Sequence, residues 1–217
     1  MAKIFIIGAT GGVGHRLWPM LVEAGHEVAG LHRKPEQAEE LKSAGIRPVE
    51  GDLMQITAKE MQAAIEGSDI VVFSAGAAGS GVERTSEIDG QGPVKLIEAC
   101  KAAGISRAYL VSAFPEAGRG GELKEGFEHY MKVKKEADAA LVASGLDWVI
   151  LRPGTLLHED GDGQVSAGLA LTYGSVARGN VAAVLAELID TPEICHELIE
   201  LTDGDTPVAE AVKALIR

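Results

Sequence analysis

Short apolar runs alternate with longer amphipathic stretches from the first residue to about residue 150. The runs at 71–73 and 149–151 have no polar alternation, which is typical of strands that helices cover on both faces. This alternation predicts an α/β chain with a mainly parallel sheet and right-handed crossovers. The predicted strands are Lys3–Ile7, Glu27–His32, Asp69–Phe73, Arg107–Val111 and Asp147–Leu151.

Helical patterns fill the intervals between these strands. The longest are Pro93–Ala103 and Tyr130–Ser144, and a last strand at Glu197–Thr202 is followed by a helix at Val208–Leu215. A glycine follows each of the first helical stretches at the distance typical of a helix C-terminus. The 217 residues are therefore expected to form a single domain. The terminating glycines are Gly25, Gly45, Gly67, Gly104 and Gly145.

The charge balance excludes several classes of partner. The chain has 20 Lys and Arg residues against 32 Asp and Glu residues, so its formal net charge is −12. A surface of this sign is not expected to bind nucleic acid or an anionic membrane.

The two cysteines of the chain, Cys100 and Cys195, have no metal-ligand spacing, and no metal site is expected. Reduced cysteines and the lack of a signal-peptide pattern predict a cytoplasmic location.

The segment Gly8–Gly14 lies between the first strand and the first helix, where a glycine-rich loop can hold phosphate groups. A glycine at its start permits a tight turn, one in the middle leaves the backbone open to a pyrophosphate, and one at its end lets the helix pack closely on the strand. The N-terminus of the helix adds unpaired N–H groups. The loop residues expected to contact a dinucleotide are Gly8, Thr10, Gly11, Gly12, Val13 and Gly14.

The residues after the second strand discriminate between the two nicotinamide cofactors. An acidic side chain there would accept a hydrogen bond from the ribose 2′-hydroxyl of NAD. This chain has Arg33 and Lys34 instead, and two cations suit the 2′-phosphate of NADP. NADP is therefore favoured over NAD, with a solvated basic pair ahead of the next helix as the alternative.

Two further strand ends fit a bound dinucleotide. Asp52 follows the third strand, where its carboxylate can accept a hydrogen bond from an adenine amino group, and Leu53 is beside it. Ser74, Ala75 and Gly76 end the fourth strand. Their small side chains would let the cofactor lie close to the backbone.

Taken together, these motifs resemble the short-chain dehydrogenase/reductase superfamily. More narrowly, the chain is similar to its small atypical and extended branch, the NAD(P)H-binding epimerase/dehydratase-like proteins. The resemblance implies a Rossmann-type doubly wound parallel sheet with helices on both faces. It is carried by Gly8–Gly14, Arg33, Gly51–Leu53, Ser74–Gly76, Val111–Ala113, Tyr130–Lys134 and Arg152–Gly154.

The resemblance also implies a catalytic set. Tyr130 would be the general acid or base, Lys134 would hold the nicotinamide ribose, and Ser112 would orient the substrate oxygen. A free tyrosine has a pKa near 10, and a lysine four residues later lies on the same helix face, where its charge lowers that pKa. The alternative for Tyr130 is a tyrosine on a helix surface.

Residues near the sixth strand complete the implied site. Pro153 and Gly154 would line the nicotinamide end of the cofactor, and Phe114, Thr155 and Leu156 would face the substrate.

One departure from the family pattern concerns charge. Many relatives carry an asparagine in the fourth helix that keeps a water beside the lysine, and the best match here is Asp89. A carboxylate at that position would change the proton relay.

The second departure is size. Few residues follow the sixth strand, so 154–179 is the whole candidate substrate-side loop or lid, and the C-terminal substrate region is minimal. The leading hypothesis is an NADP-dependent oxidoreductase that transfers hydride to or from a small carbonyl, quinone or similar molecule. The alternatives are an NADP(H)-sensing binding protein with little turnover and a flavin- or biliverdin-type reductase. A monomer and a homodimer both fit the sequence.

Overall fold

The computed structural model describes residues 1–115, 117–118 and 125–217 of the chain. In the described part, nine strands form one sheet in the order β11-β8-β10-β6-β5-β4-β1-β2-β3. The strands from β3 to β10 in this order are parallel, and β8 and β11 add an antiparallel edge. The predicted doubly wound parallel sheet is therefore confirmed. Its strands, with the small β7–β9 pair, are β1 (Lys3–Ile7), β2 (Glu27–His32), β3 (Arg47–Glu50), β4 (Ile70–Phe73), β5 (Arg107–Val111), β6 (Asp147–Pro153), β7 (Thr155–Leu157), β8 (Gln164–Gly168), β9 (Ser175–Ala177), β10 (Glu197–Asp203) and β11 (Thr206–Pro207).

Helices cover both faces of the sheet. The longest begins at Glu125 rather than at Tyr130, and acidic residues in its first turn suit the positive end of the helix dipole. Tyr130 therefore lies inside this helix instead of opening it. The helices are α1 (Gly14–Glu23), α2 (Pro35–Ser43), α3 (Ala58–Ile65), α4 (Val82–Arg84), a π-helical segment (Thr85–Gln91), α5 (Gly92–Ala103), α6 (Glu125–Val142), α7 (Arg178–Asp190) and α8 (Val208–Lys213).

The hydrophobic core has two layers, one on each face of the sheet, and β1 contributes to both. Ile4 and Ile6 pack in the layer that contains the apolar residues of α1 and α7. Phe5 and Ile7 pack in the layer that contains those of α3 and α5. All four side chains are buried, which explains why this strand shows no polar alternation in the sequence.

The strand order creates a crevice at the carboxyl edge of the sheet. The chain runs outward from β1 to β2 and β3, then returns to place β4 on the other side of β1. The connections that leave β1 and β4 therefore diverge, and such a switch point is where open α/β sheets bind ligands. This topology brings the Gly8–Gly14 and Ser74–Gly76 loops to one edge.

The C-terminal segment 154–179 contains three short strands. β7 and β9 form a separate parallel pair, and β8 joins the main sheet beside β10. The pair is joined closely, because Thr155 N–H donates to Gly174 O at 2.9 Å. Whether this segment acts as a lid stays a prediction.

Candidate functional site

One pocket of about 920 Å³ follows the crevice from the glycine loop to α6. This is near the upper end of the range for ligand pockets, roughly 300–1,000 Å³. The wall contains most of the residues predicted to bind a dinucleotide or to act in catalysis. They are Gly8, Thr10, Gly11, Gly12, Val13, Arg33, Asp52, Leu53, Ser74, Ala75, Gly76, Ser112, Tyr130, Lys134 and Leu156.

The glycine loop packs closely on its neighbours because its glycines carry no side chains. Gly8 has a φ of +94°, and an added Cβ would lie 2.6 Å from Ala75 N. Gly11 N–H donates to Gly8 O at 2.9 Å and closes the turn. An added Cβ on Gly14 would overlap Gly8 O, which accounts for the close packing of α1 on the end of β1. The open backbone in front of α1 fits a pyrophosphate.

Gln37 connects the end of β2 to this loop and was missed in the sequence. Its Oε1 accepts from Arg33 N–H at 3.1 Å and from Lys34 N–H at 2.9 Å. Its Nε2 donates to Thr10 Oγ1 at 3.1 Å. The available signal was its position as the third residue of a helix that begins at Pro35, where Gln and Glu bond back to the chain. Arg33 lines the pocket, whereas the Lys34 side chain lies outside its wall.

At the other end of the pocket, Lys134 is buried with its charge matched by Asp89. Lys134 Nζ donates to Val111 O at 2.9 Å and lies 3.7 Å from Asp89 Oδ1. Asp89 Oδ2 accepts from Ala77 N–H at 2.9 Å. The two side chains are 4% and 2% exposed, so solvent screens this ion pair little.

The helix that carries Asp89 is not regular. Asp89 lies in the π-helical segment, and π-helical turns are frequent at functional sites. This segment runs directly into α5, where an added Cβ on Gly92 would lie 2.7 Å from Phe73 Cζ. The sequence predicted a helix over Pro93–Ala103, and the π-helical segment that precedes it was not predicted.

A second buried carboxylate, Asp138, lies one turn after Lys134 on α6. Its Oδ2 accepts from Nε and Nη2 of Arg152, each at 2.9 Å. Ser112 lies beside Asp138 and lowers the pKa of that carboxyl, although burial raises it more. Among the described residues, Ser112 Oγ has no partner that meets hydrogen-bond geometry. The sequence signal for Asp138 was its i+4 spacing from a candidate catalytic lysine.

The carboxylates of Asp89 and Asp138 oppose the expected lowering of the Tyr130 pKa. Burial raises the pKa of Tyr130 far above its ordinary value, and Asp89, Asp138 and Tyr173 raise it further. Burial also lowers the pKa of Lys134, although Asp89 and Asp138 act against that shift. The expected lowering of the Tyr130 pKa by Lys134 is therefore not found, because burial and, after it, the two carboxylates raise that pKa.

Several predicted residues lie outside the pocket wall. Phe114 is buried and packs against Tyr173, with ring centroids 5.4 Å apart, and Thr155 Oγ1 is 2.6 Å from the Tyr173 hydroxyl. Pro153 is buried, and an added Cβ on Gly154 would overlap Gly174 O. The close approach at Gly154 is therefore to the chain itself, and contact of these residues with cofactor or substrate stays a prediction.

The wall also contains side chains that no local pattern identified. They come from the end of β2, from the segment before α5, from α6 and from α7. They are Leu31, Val82, Arg84, Thr85, Ile88, Phe127 and Arg178.

Residues 1–115, 117–118 and 125–217 contain neither a metal-ligand cluster nor a membrane-spanning helix. Within them, no group of three His, Cys, Asp or Glu residues is placed to hold a metal ion. In the same ranges, no helix has the length and apolar character needed to cross a bilayer. Cys100 and Cys195 are unpaired with each other, and only Cys100 is fully buried.

The fold and the pocket define a class: a Rossmann-type protein whose glycine loop and strand ends form a dinucleotide site. Comparison with known proteins agrees. A family model described as "NAD(P)H-binding" matches residues 8–192, and the chain belongs to this family. The resemblance to small NAD(P)H-binding epimerase/dehydratase-like proteins is thereby confirmed.

Individual relatives have similar lengths. The chain is 39% identical to "Uncharacterized sugar epimerase YhfK" of Bacillus subtilis, over 98% of this chain and 100% of the relative. It superposes with a TM-score of 0.88 on a putative NAD-dependent epimerase/dehydratase from Bacillus halodurans, at 32% identity, covering 99% of this chain and 100% of the other. For the oxidoreductase ylbE from Lactococcus lactis, the TM-score is 0.85 at 28% identity, with 98% and 96% covered.

Proposed function

We propose that the chain is an NADP-dependent reductase that acts on a small carbonyl, quinone or similar compound. The observation that carries this proposal is the continuity of the pocket, in which Ser112, Tyr130 and Lys134 share one wall with the glycine loop. A reduced nicotinamide bound there would supply hydride. The chain's own residues would then bind the cofactor, orient the substrate oxygen and provide a proton.

The charges around Tyr130 favour the reductive direction. Burial and the carboxylates of Asp89 and Asp138 raise its pKa, so Tyr130 keeps its proton at neutral pH. A protonated tyrosine suits a proton donor to a newly formed alkoxide, and it is a poor base for oxidising an alcohol. Ser112 lines the pocket beside the Asp138 carboxyl, where its hydroxyl can orient a substrate oxygen.

The preference for NADP rests on the end of β2. Arg33 is exposed on the pocket wall, where its guanidinium can donate to a 2′-phosphate through two N–H groups. The order of the sheet places this residue on the β2 side of the glycine loop, away from Tyr130. Arg33 is therefore suited to the adenosine end of the dinucleotide.

One observation favours a second candidate, an NADP(H)-sensing binding protein with little turnover. The ion pair between Asp89 and Lys134 occupies the lysine that would otherwise assist the tyrosine.

The name of the Bacillus subtilis relative suggests sugar epimerisation. That reaction needs room for a sugar substrate, and the segment 154–179 provides only three short strands beside the pocket.

A binding and turnover assay tests the proposal. NADPH and NADH are titrated by fluorescence, and NADPH oxidation is followed with a panel of aldehydes, ketones, quinones and flavins. We expect Tyr130→Phe to lower kcat by about 10²–10⁴-fold without changing the Kd for NADPH. Tyr109→Phe removes a hydroxyl that donates to Leu188 O outside the pocket wall, so it is the control and should retain activity. Tight NADPH binding with no turnover, unchanged in Tyr130→Phe, would contradict the reductase and favour the sensor.

A further inference from the structure

Arg178, the first residue of α7, reaches the glycine loop from a distant part of the chain. It is half-buried and lines the pocket. An added Cβ on Gly12 would lie 2.6 Å from Arg178 Cδ and 2.8 Å from its Nε. The absence of a side chain at Gly12 therefore makes room for the Arg178 side chain to cross the loop. This contact joins residues far apart in sequence, so the motif alone could not indicate it.

The surroundings of Arg178 carry excess positive charge. Arg16 Nη1 donates to Gly12 O at 2.9 Å, and Arg16 Nε pairs with the exposed Asp160 at 2.8 Å. Arg178 Nη1 donates to Leu156 O at 3.2 Å, and among the described residues no carboxylate pairs with Arg178. Burial and the nearby Arg16 lower the pKa of Arg178. Two guanidinium groups thus flank Gly12, and one carboxylate is near them.

We infer that Arg178 binds the pyrophosphate of the dinucleotide and completes an anion subsite with the N–H groups of the glycine loop. The inference rests on the proposed dinucleotide binding. Backbone N–H groups at the start of a helix already favour phosphate, and a guanidinium adds charge-assisted hydrogen bonds to the same oxygens. Arg178 crosses the loop at Gly12, and both residues line the pocket.

Arg178 also links this subsite to the substrate side of the pocket. Its guanidinium bonds the carbonyl of Leu156 on β7, and Leu156 lines the pocket. The side chain therefore contacts both Gly12 of the glycine loop and Leu156 on β7. The guanidinium that binds the pyrophosphate would therefore also position Leu156.

The test compares ligands that contain different parts of the cofactor. A pyrophosphate contact is common to NADPH and NADH, whereas a 2′-phosphate contact serves NADPH alone. We expect Arg178→Ala to raise the Kd of both dinucleotides by the same factor, about 10–100-fold, and to leave the Kd of adenosine 2′-monophosphate unchanged. Arg33→Ala should show the opposite pattern, with weaker NADPH and adenosine 2′-monophosphate binding and unchanged NADH binding.

Three further variants control for charge and folding. Arg47→Ala removes the same charge from an exposed position on β3 outside the pocket wall, and should bind all ligands normally. Arg178→Lys should recover part of the lost affinity. Gly12→Ala should displace the Arg178 side chain, so that Gly12→Ala combined with Arg178→Ala is no weaker than Arg178→Ala alone.

The outcomes separate this inference from the proposed function. A wild-type protein that binds neither dinucleotide would overturn both. If the wild type binds NADPH and Arg178→Ala binds it equally well, the pyrophosphate contact is wrong and the cofactor proposal stands. An effect of Arg178→Ala on NADPH alone would assign Arg178 to the 2′-phosphate instead and would overturn the inference.

Discussion

The two ends of the pocket differ in what forms them. The glycine-loop end consists mainly of backbone and small residues, and its geometry depends on the absence of side chains at Gly8, Gly12 and Gly14. The reactive end consists of long charged side chains in a buried row, with Lys134 near Asp89. Asp138 and Arg152 continue this row on α6 and β6.

The two ends of the pocket balance electric charge in different ways. At the glycine loop, backbone dipoles and the half-buried Arg178 face an open pocket, where a phosphate would supply the opposite charge. At the reactive end, each buried charge already has an opposite charge beside it. Substitutions at the glycine loop should therefore act through steric overlap and backbone strain. Substitutions at the reactive end should act through uncompensated charge.

The largest effect is expected at Gly8. Gly8→Ala forces an L side chain into a φ of +94° and places its Cβ 2.6 Å from Ala75 N. Strain and overlap together should lower the free energy of unfolding by about 5 kcal/mol and abolish NADPH binding. The measurements are chemical denaturation and fluorescence titration.

Gly25→Ala is the matched control for this prediction. Gly25 has a similar φ of +85°, but no atom lies within 4 Å of an added Cβ. It should lose about 1 kcal/mol of stability and bind NADPH normally. Equal losses in the two variants would mean that backbone strain alone, and not the close approach of β4, explains the role of Gly8.

The next effect is expected at Asp89. Asp89→Ala leaves Lys134 buried without its nearer carboxylate, and we expect the free energy of unfolding to fall by about 3 kcal/mol. The control is Lys132→Ala on the same helix, which removes an exposed ion pair with Glu136 at 3.8 Å and should cost less than about 1 kcal/mol. A loss in Asp89→Ala no larger than in Lys132→Ala would show that the buried row is not held by charge compensation.

The same difference between the two ends explains which site residues could be predicted from the sequence. Gly8, Gly14 and Ser74 lie within a few residues of strand ends, so local pattern and strand order were sufficient to place them at one edge. Asp138 and Arg152 meet across α6 and β6, and although Arg152 belongs to the Arg152–Gly154 motif, that motif does not indicate Asp138 as its partner. Such contacts depend on how helices pack on the sheet, which periodicity does not specify.

The structure of the C-terminal segment 154–179 could not be predicted from local pattern for the same reason. Its glycines indicated a loop, but β8 gains its hydrogen bonds from β10, which lies later in the chain. Pairing between distant strands is a tertiary effect that overrides local propensity. Gly154 was associated with the cofactor through the family resemblance; its close neighbour in the structure is Gly174 O, and its contact with the cofactor stays a prediction.

A smaller effect is expected at the end of β2. Arg33→Ala should weaken NADPH binding about tenfold and leave NADH binding unchanged, because only NADPH carries the 2′-phosphate. Lys34→Ala removes the neighbouring charge, but its side chain lies outside the pocket wall, so both affinities should stay within about twofold of the wild type. Equal weakening by the two variants would indicate a general attraction of the basic pair for anions rather than a specific contact.

The smallest effect is expected in the pH dependence of reduction. Tyr130 can donate a proton only while it is protonated, and burial with Asp89 and Asp138 raises its pKa above the ordinary value. The kcat for reduction should therefore show no loss from Tyr130 as pH rises from 6 to 9, since even an unperturbed tyrosine has a pKa of about 10. Asp89→Asn removes one charge that raises this pKa and keeps an acceptor for Ala77 N–H, so any alkaline loss of kcat should move to lower pH. If the wild type instead loses kcat below pH 9 and Asp89→Asn leaves that limb in place, the proton donor is a group other than Tyr130, and the buried carboxylates serve the stability of the reactive end without setting its chemistry.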